Sequence, residues 1–331
     1  MKLLSVPFAS FVLLAGAMSA AAQTAPADSK SAWPNAKPIR LIVGYPPGGG
    51  IDFAARMVQA PLADALKQTI LVDYKPGASG MLAATELTRA APDGYTLLVA
   101  NTGPFAIAPY MQRQMPYDPV RQFTYIGQIS QGSYIVATRT EHPAKDLKEF
   151  LVWARANAGK VNFASGGNGT STHLNGELMN QATGLDMTHV PYKGSAPAVQ
   201  DLIGGQTHLL IDAGSVLLPQ INGGKLKALA VTGPARDPQL PDVPTVRELG
   251  LATMESVGFQ GVVGPAGMPA EVVARLAAEL ALVLARPEVK AKFAGAGAEV
   301  RSSGPPEFAA FVKADNERWA KLIRERKLQL D

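Results

Sequence analysis

The chain has 331 residues, no cysteine, 31 basic and 27 acidic side chains and a formal charge of +4. The absence of any thiol excludes disulfides, thiol catalysis and a lipid-modified amino-terminal cysteine, and so mild a charge gives no ground for a nucleic-acid or anionic-membrane partner. With 47% apolar and 18% charged side chains, the composition is that of a globular protein rather than a disordered one.

In chain order, the first 22 residues, "MKLLSVPFASFVLLAGAMSAAA", carry one early Lys2, an apolar run from Leu3 to Ala17, and small residues suited to cleavage after Ala22. That is the pattern of an export signal; its removal leaves 30 basic against 27 acidic side chains. Residues 23–32 read as a flexible linker. No later apolar run reaches the roughly 18 to 20 residues of a spanning helix, so the mature protein is expected to be periplasmic and soluble. About 309 mature residues suit two domains better than one core.

After Pro34, strand and helix patterns alternate. "IRLIVGY" predicts a strand, Asp52 to Lys67 a helix, "TILVDYKPG" and "YTLLVANTG" two strands, and "FAIAPYMQ" a helix. Pro61 falls inside the first helix, where the missing donor and the ring predict a kink or two short helices. The rhythm then repeats: strand "SYIVATR", a helix face of Leu147, Phe150, Leu151 and Ala154, strand "VNFASGG", helix His173 to Gln181 and strand "MTHVPY". A helix with Val199, Leu202 and Ile203 on one face follows, then strands "HLLIDAG" and "KALAVTG". A proline-rich connector, "ARDPQLPDVPTVRELG", leads to one helix carrying Val272, Leu276 and Leu280 and a last one carrying Phe308, Val312 and Trp319. Strand followed by helix, repeated, predicts an α/β fold with mainly parallel sheets.

Four loops follow strands and open helices: "YPPGGGID", "NTGPFA", "SGGNGTSTH" and "YKGSAP". Ligands of open α/β sheets sit at such places, where helix-start N–H groups and dipoles favour an anion. Glycine lets backbone approach a ligand closely, and Asp52, Ser171 or Thr172, and Ser195 stand where helix caps belong. Each loop alone is ordinary turn chemistry; four at strand ends point to a cleft.

Known catalytic and phosphate patterns are missing. "GYPPGGGID" lacks the Lys-Ser/Thr of a nucleotide loop, and "GNGTST" does not complete a dinucleotide fingerprint. No serine sits in a Gly-x-Ser-x-Gly elbow, and nothing in the spacing of Ser195, His189 and Asp212 supports a triad. His142, His173, His189 and His208 lie too far apart in sequence for a zinc pattern. The expectation is no catalytic residue, no metal and no cofactor.

The segments "YPPGGGIDFAAR", "DYKPGASGMLAA", "APDGYTLLVANTG", "ASGGNGTSTHLNGELM", "VPYKGSAPAVQDLIGGQ", "ALAVTGPARDPQLPDVPTVRELG" and "PAGMP" occur in this order, and together they resemble a Bug-type solute receptor, the TctC-like binding component of tripartite tricarboxylate transporters. The resemblance implies a type II periplasmic binding protein of Venus-flytrap form, with two mainly parallel sheets flanked by helices and joined by two crossing strands. Domain 1 would take 33–128 and 233–331, domain 2 129–232, with crossings in "IGQISQGSYIVAT" and "ALAVTG". It further implies a small carboxylate ligand: a di- or tricarboxylic acid, an aromatic acid or an acidic amino acid.

Carried over by position, the resemblance implies ligand contacts from Tyr45, Pro47, Gly48, Gly49, Ile51 and Asp52, then from Asn101, Thr102 and Phe105, the last reshaping the far end of the pocket. Domain 2 would add Gly167, Asn168, Gly169, Thr170, Ser171 and His173, then Lys193, Gly194, Ser195 and Ala196, and finally Asp212. Helix ends would supply the field without an arginine clamp. Asp212 would repel a carboxylate, so a direct contact would favour a ligand with an amine or hydroxyl. The implied partners are the membrane subunits of the transporter; presentation of the ligand to a sensor kinase stays open, and an exported hydrolase or lyase using the cleft is the disfavoured alternative.

Overall fold

The computed structural model describes residues 33–112 and 114–326; the expected export signal and linker lie outside them. β1 (Ile39–Val43), α1 (Gly50–Leu66), β2 (Ile70–Tyr74) and β3 (Thr96–Asn101) fall where the sequence pattern predicts them, and α2 (Met81–Thr88), which that pattern does not assign, joins β2 to β3. A π-turn over Gly103–Ile107 runs into the short α3 (Ala108–Met111). α1 passes through Pro61 as a single element: the helix keeps its apolar face, Ala54, Ala55, Val58 and Leu62, buried, and that packing holds it together across the lost hydrogen bond.

A 17-residue strand, β4 (Phe123–Arg139), then crosses the molecule. Beyond it come α4 (Leu147–Ala156), β5 (Asn162–Ser165), α5 (Ser171–Thr183), β6 (Thr188–Pro191), α6 (Ser195–Ile203), β7 (Leu209–Ala213), α7 (Gly214–Asn222) and β8 (Leu226–Val231). The chain returns through β9 (Val257–Pro265) and ends in α8 (Ala270–Ala285), α9 (Pro287–Ala294), β10 (Glu299–Val300) and α10 (Pro305–Arg326).

Among the described residues the strands join in the order β2-β1-β3-β9-β4-β7-β5-β6, with β8 and β10 also on β4. The wings, β2-β1-β3 and β6-β5-β7, are parallel, as strands buried under crossover helices should be. The centre is antiparallel. From Phe123 to Ser133, β4 pairs with β9; from Tyr134 to Arg139 it pairs with β7 and β8. One strand therefore belongs to both halves, and the fold is the two-domain α/β architecture expected of a periplasmic binding protein.

The sequence pattern assigns no strand to 257–265, yet β9 is the centre of the first half-sheet. Its glycines weaken the strand signal, but they are spaced for packing: a Cβ at Gly261 would lie 2.2 Å from the Phe308 ring, and at Gly258 2.2 Å from the Tyr134 hydroxyl. Three buried clusters fill the layers: one under α1, α8 and α9, one under α6 and α7, and the largest, holding Phe105, Phe259, Phe308 and Trp319, under α10 and α5.

Candidate ligand-binding cleft

The loop after β1 is held by side chains rather than by regular structure. Gly44 lets it approach the next loop, since a Cβ there would lie 2.8 Å from Gly80 Cα. The Tyr45 hydroxyl donates to Ser79 O at 2.7 Å and accepts from Asn101 Nδ2 at 3.3 Å; its burial pushes its pKa up to about 12, so it stays a neutral donor. Ala78 and Ser79, at φ 44° and 54°, occupy left-handed backbone that costs non-glycine residues about 1 kcal/mol or more each. From that strained turn the Ser79 hydroxyl donates to Asn168 O across the cleft.

α1 begins at Gly49 without a side-chain cap. Asp52, three residues on, reaches back to accept the Gly48 N–H at 2.9 Å, and its other oxygen accepts from Arg56 Nε at 2.8 Å and the Tyr74 hydroxyl at 2.6 Å. Burial opposes ionisation here, but Tyr74, Gly48 and Arg56 outweigh it and hold the carboxyl below its usual range. Asp52 is thus fully engaged as a fastener of the glycine loop.

On the facing side, Thr170 caps α5: its Oγ1 accepts the His173 N–H and donates to Gly167 O at 2.7 Å, while Thr172 Oγ1 accepts the Gly166 N–H at 2.8 Å. Gly194, at φ 106°, caps α6 in a conformation reserved for glycine, with Pro46 of the opposite half close against it. α7 begins immediately after β7 at Ala213, whose N–H donates to Asp212 Oδ1 at 2.7 Å.

These loops enclose a cavity of about 60 Å³, several times the roughly 10 to 15 Å³ that one ordered water needs. Four helix starts reach it, through Gly49, Gly50 and Ile51, through Thr170, Ser171 and Thr172, through Gly194 and Ser195, and through Ala213; Tyr45, Pro46, Asn101, Thr102 and Gly166 complete the walls. The floor is the crossing sheet itself, Tyr134 from β4 and Phe259 and Gln260 from β9. Helix starts present N–H groups without intrahelical partners and a positive dipole end, and among the described residues no lysine, arginine or histidine lines the wall. Its ionisable groups are Tyr45, Tyr134 and Asp212. Burial drives the Tyr134 hydroxyl far above its ordinary range, with Ser171 and Thr102 facing it. Asp212, 4% exposed, is raised to about 6 by burial, which the Ser195 hydroxyl and the Ala213 N–H only partly offset.

Of the expected contacts, the structure brings Tyr45, Gly49, Ile51, Asn101, Thr102, Thr170, Ser171, Gly194, Ser195 and Asp212 to one cavity. The others stand outside its wall. Phe105 is fully buried against Phe123, ring centroids 4.9 Å apart, because the π-turn points it into the core rather than the pocket. His173 lies beneath the loop, accepting the Gly169 N–H at Nδ1 and stacked on His189 at 3.8 Å. Asn168, Lys193, Ala196, Pro47 and Gly48 are exposed at the rim, and Gly167 and Gly169 shape the loop behind it. Pro46, Gly50, Gly166, Thr172 and Ala213 sit beside predicted positions in the same loops. Tyr134, Phe259 and Gln260 carry no loop signal; only the pairing of β4 with β9 and β7 places them.

Residues 54–328 match the description "Tripartite tricarboxylate transporter family receptor", TctC. The chain belongs to this family. A Pseudomonas sp. (strain P51) protein from the tcbD-tcbE intergenic region is 34% identical over 318 residues, covering 96% of this chain and 94% of that one. The periplasmic binding protein BugD superposes at TM-score 0.85 with 34% identity over 88% of this chain and 98% of its own. MatC from Rhodopseudomonas palustris, solved with malate, gives TM-score 0.84, 32% identity and coverage of 87% and 99%. R. palustris Rpa4515, solved with adipate, gives 0.87, 31%, 90% and 99%. This TctC-family chain is accordingly a periplasmic binding receptor and not an enzyme; the sensor-kinase role finds no support in these relatives.

Proposed function

We propose that this TctC-family receptor captures a small carboxylate in the cleft between its two halves and delivers it to the membrane subunits of a tripartite tricarboxylate transporter. One observation carries the reading: among the described residues, four helix starts converge on a small cavity with no cationic side chain in its wall. A carboxylate set there accepts hydrogen bonds from oriented N–H groups and lies in the positive field of the helix ends, so recognition needs no counter-ion. Neutral donors at Tyr45, Tyr134 and Ser171 extend the same chemistry. Relatives solved with malate and adipate support the ligand class. Export through residues 1–22 places the receptor where such a ligand arrives.

The test is thermal unfolding of the protein from Gln23, stripped of copurified ligand, against mono-, di- and tricarboxylates, aromatic acids, amino acids and neutral sugars. Ligand at a hundredfold its dissociation constant adds roughly 2.7 kcal/mol, so a carboxylate class is expected to raise Tm clearly. Stabilisation by sugars alone would overturn the reading. Transport is tested by deleting the gene and following uptake of the acid so identified, which should fall.

A further inference from the structure

Within the cavity one group has no counterpart among the carboxylate-binding donors. Asp212 is a buried acceptor in a site otherwise built to receive an acceptor. Its Oδ1 takes the Ala213 N–H at 2.7 Å, while Oδ2, buried, closes no bond of hydrogen-bond geometry, although the Ser195 hydroxyl stands near enough to the carboxyl to favour its ionised form. An unsatisfied buried polar atom costs about 1 to 3 kcal/mol, more when charged, and calls for a physical reason; Asp212 differs from the other buried unpaired side-chain atoms of the described residues, Asp315 Oδ2 among them, in lining the cavity. The groups facing it are Tyr45 from the first loop and Tyr134 from β4, both neutral, and the Ser195 hydroxyl from the start of α6. Among the described residues no cation in the cavity wall is available to pair with it.

We infer that Asp212 Oδ2 receives a hydroxyl or ammonium group of the ligand, so that the receptor selects α-hydroxy or α-amino acids over plain carboxylic acids. The inference rests on the carboxylate reading above and narrows it. The α position follows from Ser195, which is both the first residue of α6, where a ligand carboxylate would take the free N–H groups, and the residue whose hydroxyl faces Asp212. With the carboxylate on the α6 start, carboxylate and donor sit within one residue's span of each other. Burial that raises Asp212 to about 6 makes the ionised acceptor costly when empty, and a ligand donor offsets that cost. An acid without such a donor would leave the acceptor unmet and add its own charge beside it.

The experiment is calorimetric titration of the full mature chain with matched sets: succinate, malate and aspartate; glutarate, 2-hydroxyglutarate and glutamate; propionate, lactate and alanine; phenylacetate, mandelate and phenylglycine; tricarballylate and citrate. In at least one set the hydroxy or amino member should bind roughly ten- to a hundredfold tighter than the bare acid, the worth of a hydrogen bond to a charged group. Asp212→Asn should cut that preference at least about tenfold, and its bare-acid affinity should hold or rise. For the wild type, affinity relative to Asp212→Asn should rise with pH between 5 and 7, as the free acceptor ionises. If the bare acid binds as tightly as its partners, or if relative affinity falls as pH rises because a protonated Asp212 donates to the ligand, the inference is overturned and the carboxylate receptor stands. If no acid in any set binds, both readings are overturned.

Discussion

Asp52 and Asp212 show how environment divides two like side chains. Asp52 accepts from Gly48, Arg56 and Tyr74, and its charge serves the fold. Asp212 keeps one oxygen without a partner, and its charge is a cost to the empty receptor. With a folded pKa of about 6 against 3.8 as the ordinary value, the native state holds a proton that the unfolded chain has released. Stability from this group is then full below about pH 4, falls as pH rises, and levels off above 6. The loss amounts to at most about 3 kcal/mol at 1.36 kcal/mol per unit. Denaturant unfolding of ligand-free wild type and Asp212→Asn at pH 4, 5, 6 and 7.5 checks this. The wild type should lose stability relative to the variant across that window, and a difference constant with pH would contradict the assignment.

The helices reach the cavity with their beginnings rather than their bodies. α5 is the clearest case, since Thr170 caps it, joins Thr172 and Gly167, and lines the cavity with the same residue. Replacing Thr170 with Ala should remove about 1 kcal/mol of stability and weaken carboxylate binding severalfold, because the loop loses the bonds that aim the Ser171 and Thr172 N–H groups. Unfolding curves and titration of one variant separate the two effects: lost stability with unchanged affinity would mean that α5 only supports the site. Beneath this helix start, the stacked His173 and His189 and the Ser165 hydroxyl, 2.6 Å from His189 Nε2, fix the loop from below. Burial drives the His189 pKa down to about 3, so it stays neutral and the stack does not bring two charges together.

The described residues form one sheet shared by two lobes, and the lobes touch across the cleft. Pro46 packs on Gly194, and Ser79 from the strained turn of one lobe bonds Asn168 O of the other. In the proposed receptor such a latch would add to the ligand contacts of both lobes and shift the open–closed balance by its own differential free energy. Ser79→Ala should therefore raise the open population and lower apparent affinity about two- to tenfold, the range of one net hydrogen bond. Small-angle scattering should show a larger radius of gyration for that variant without ligand and equal radii for both proteins at saturation. Equal radii in every state would remove the latch. α10 holds the far side of the same lobe in place: Asn316 Nδ2 donates to Phe105 O at 2.8 Å, and Tyr110 bonds Asn316.

Local sequence determined the parallel wings, whose apolar strands and amphipathic helices follow their own periodicity, and it located the loops that meet in the cleft. Glycine, proline and small hydroxyl residues at strand ends can be read there because turn and cap chemistry is settled within four or five residues. Tertiary structure alone decided the rest. β9 becomes a central strand because β3 and β4 flank it, although its glycines argue locally against a strand; Phe259 and Gln260 reach the floor through pairing with β4 residues more than a hundred positions away, and Tyr134 through its pairing with Ala213 of β7. The π-turn sends Phe105 into the core, and Tyr74, at the end of β2, helps hold Asp52 as a fastener of the glycine loop. Whether Asp212 is satisfied or left open depends on every group packed around it. No local pattern can record an absence that the whole fold creates.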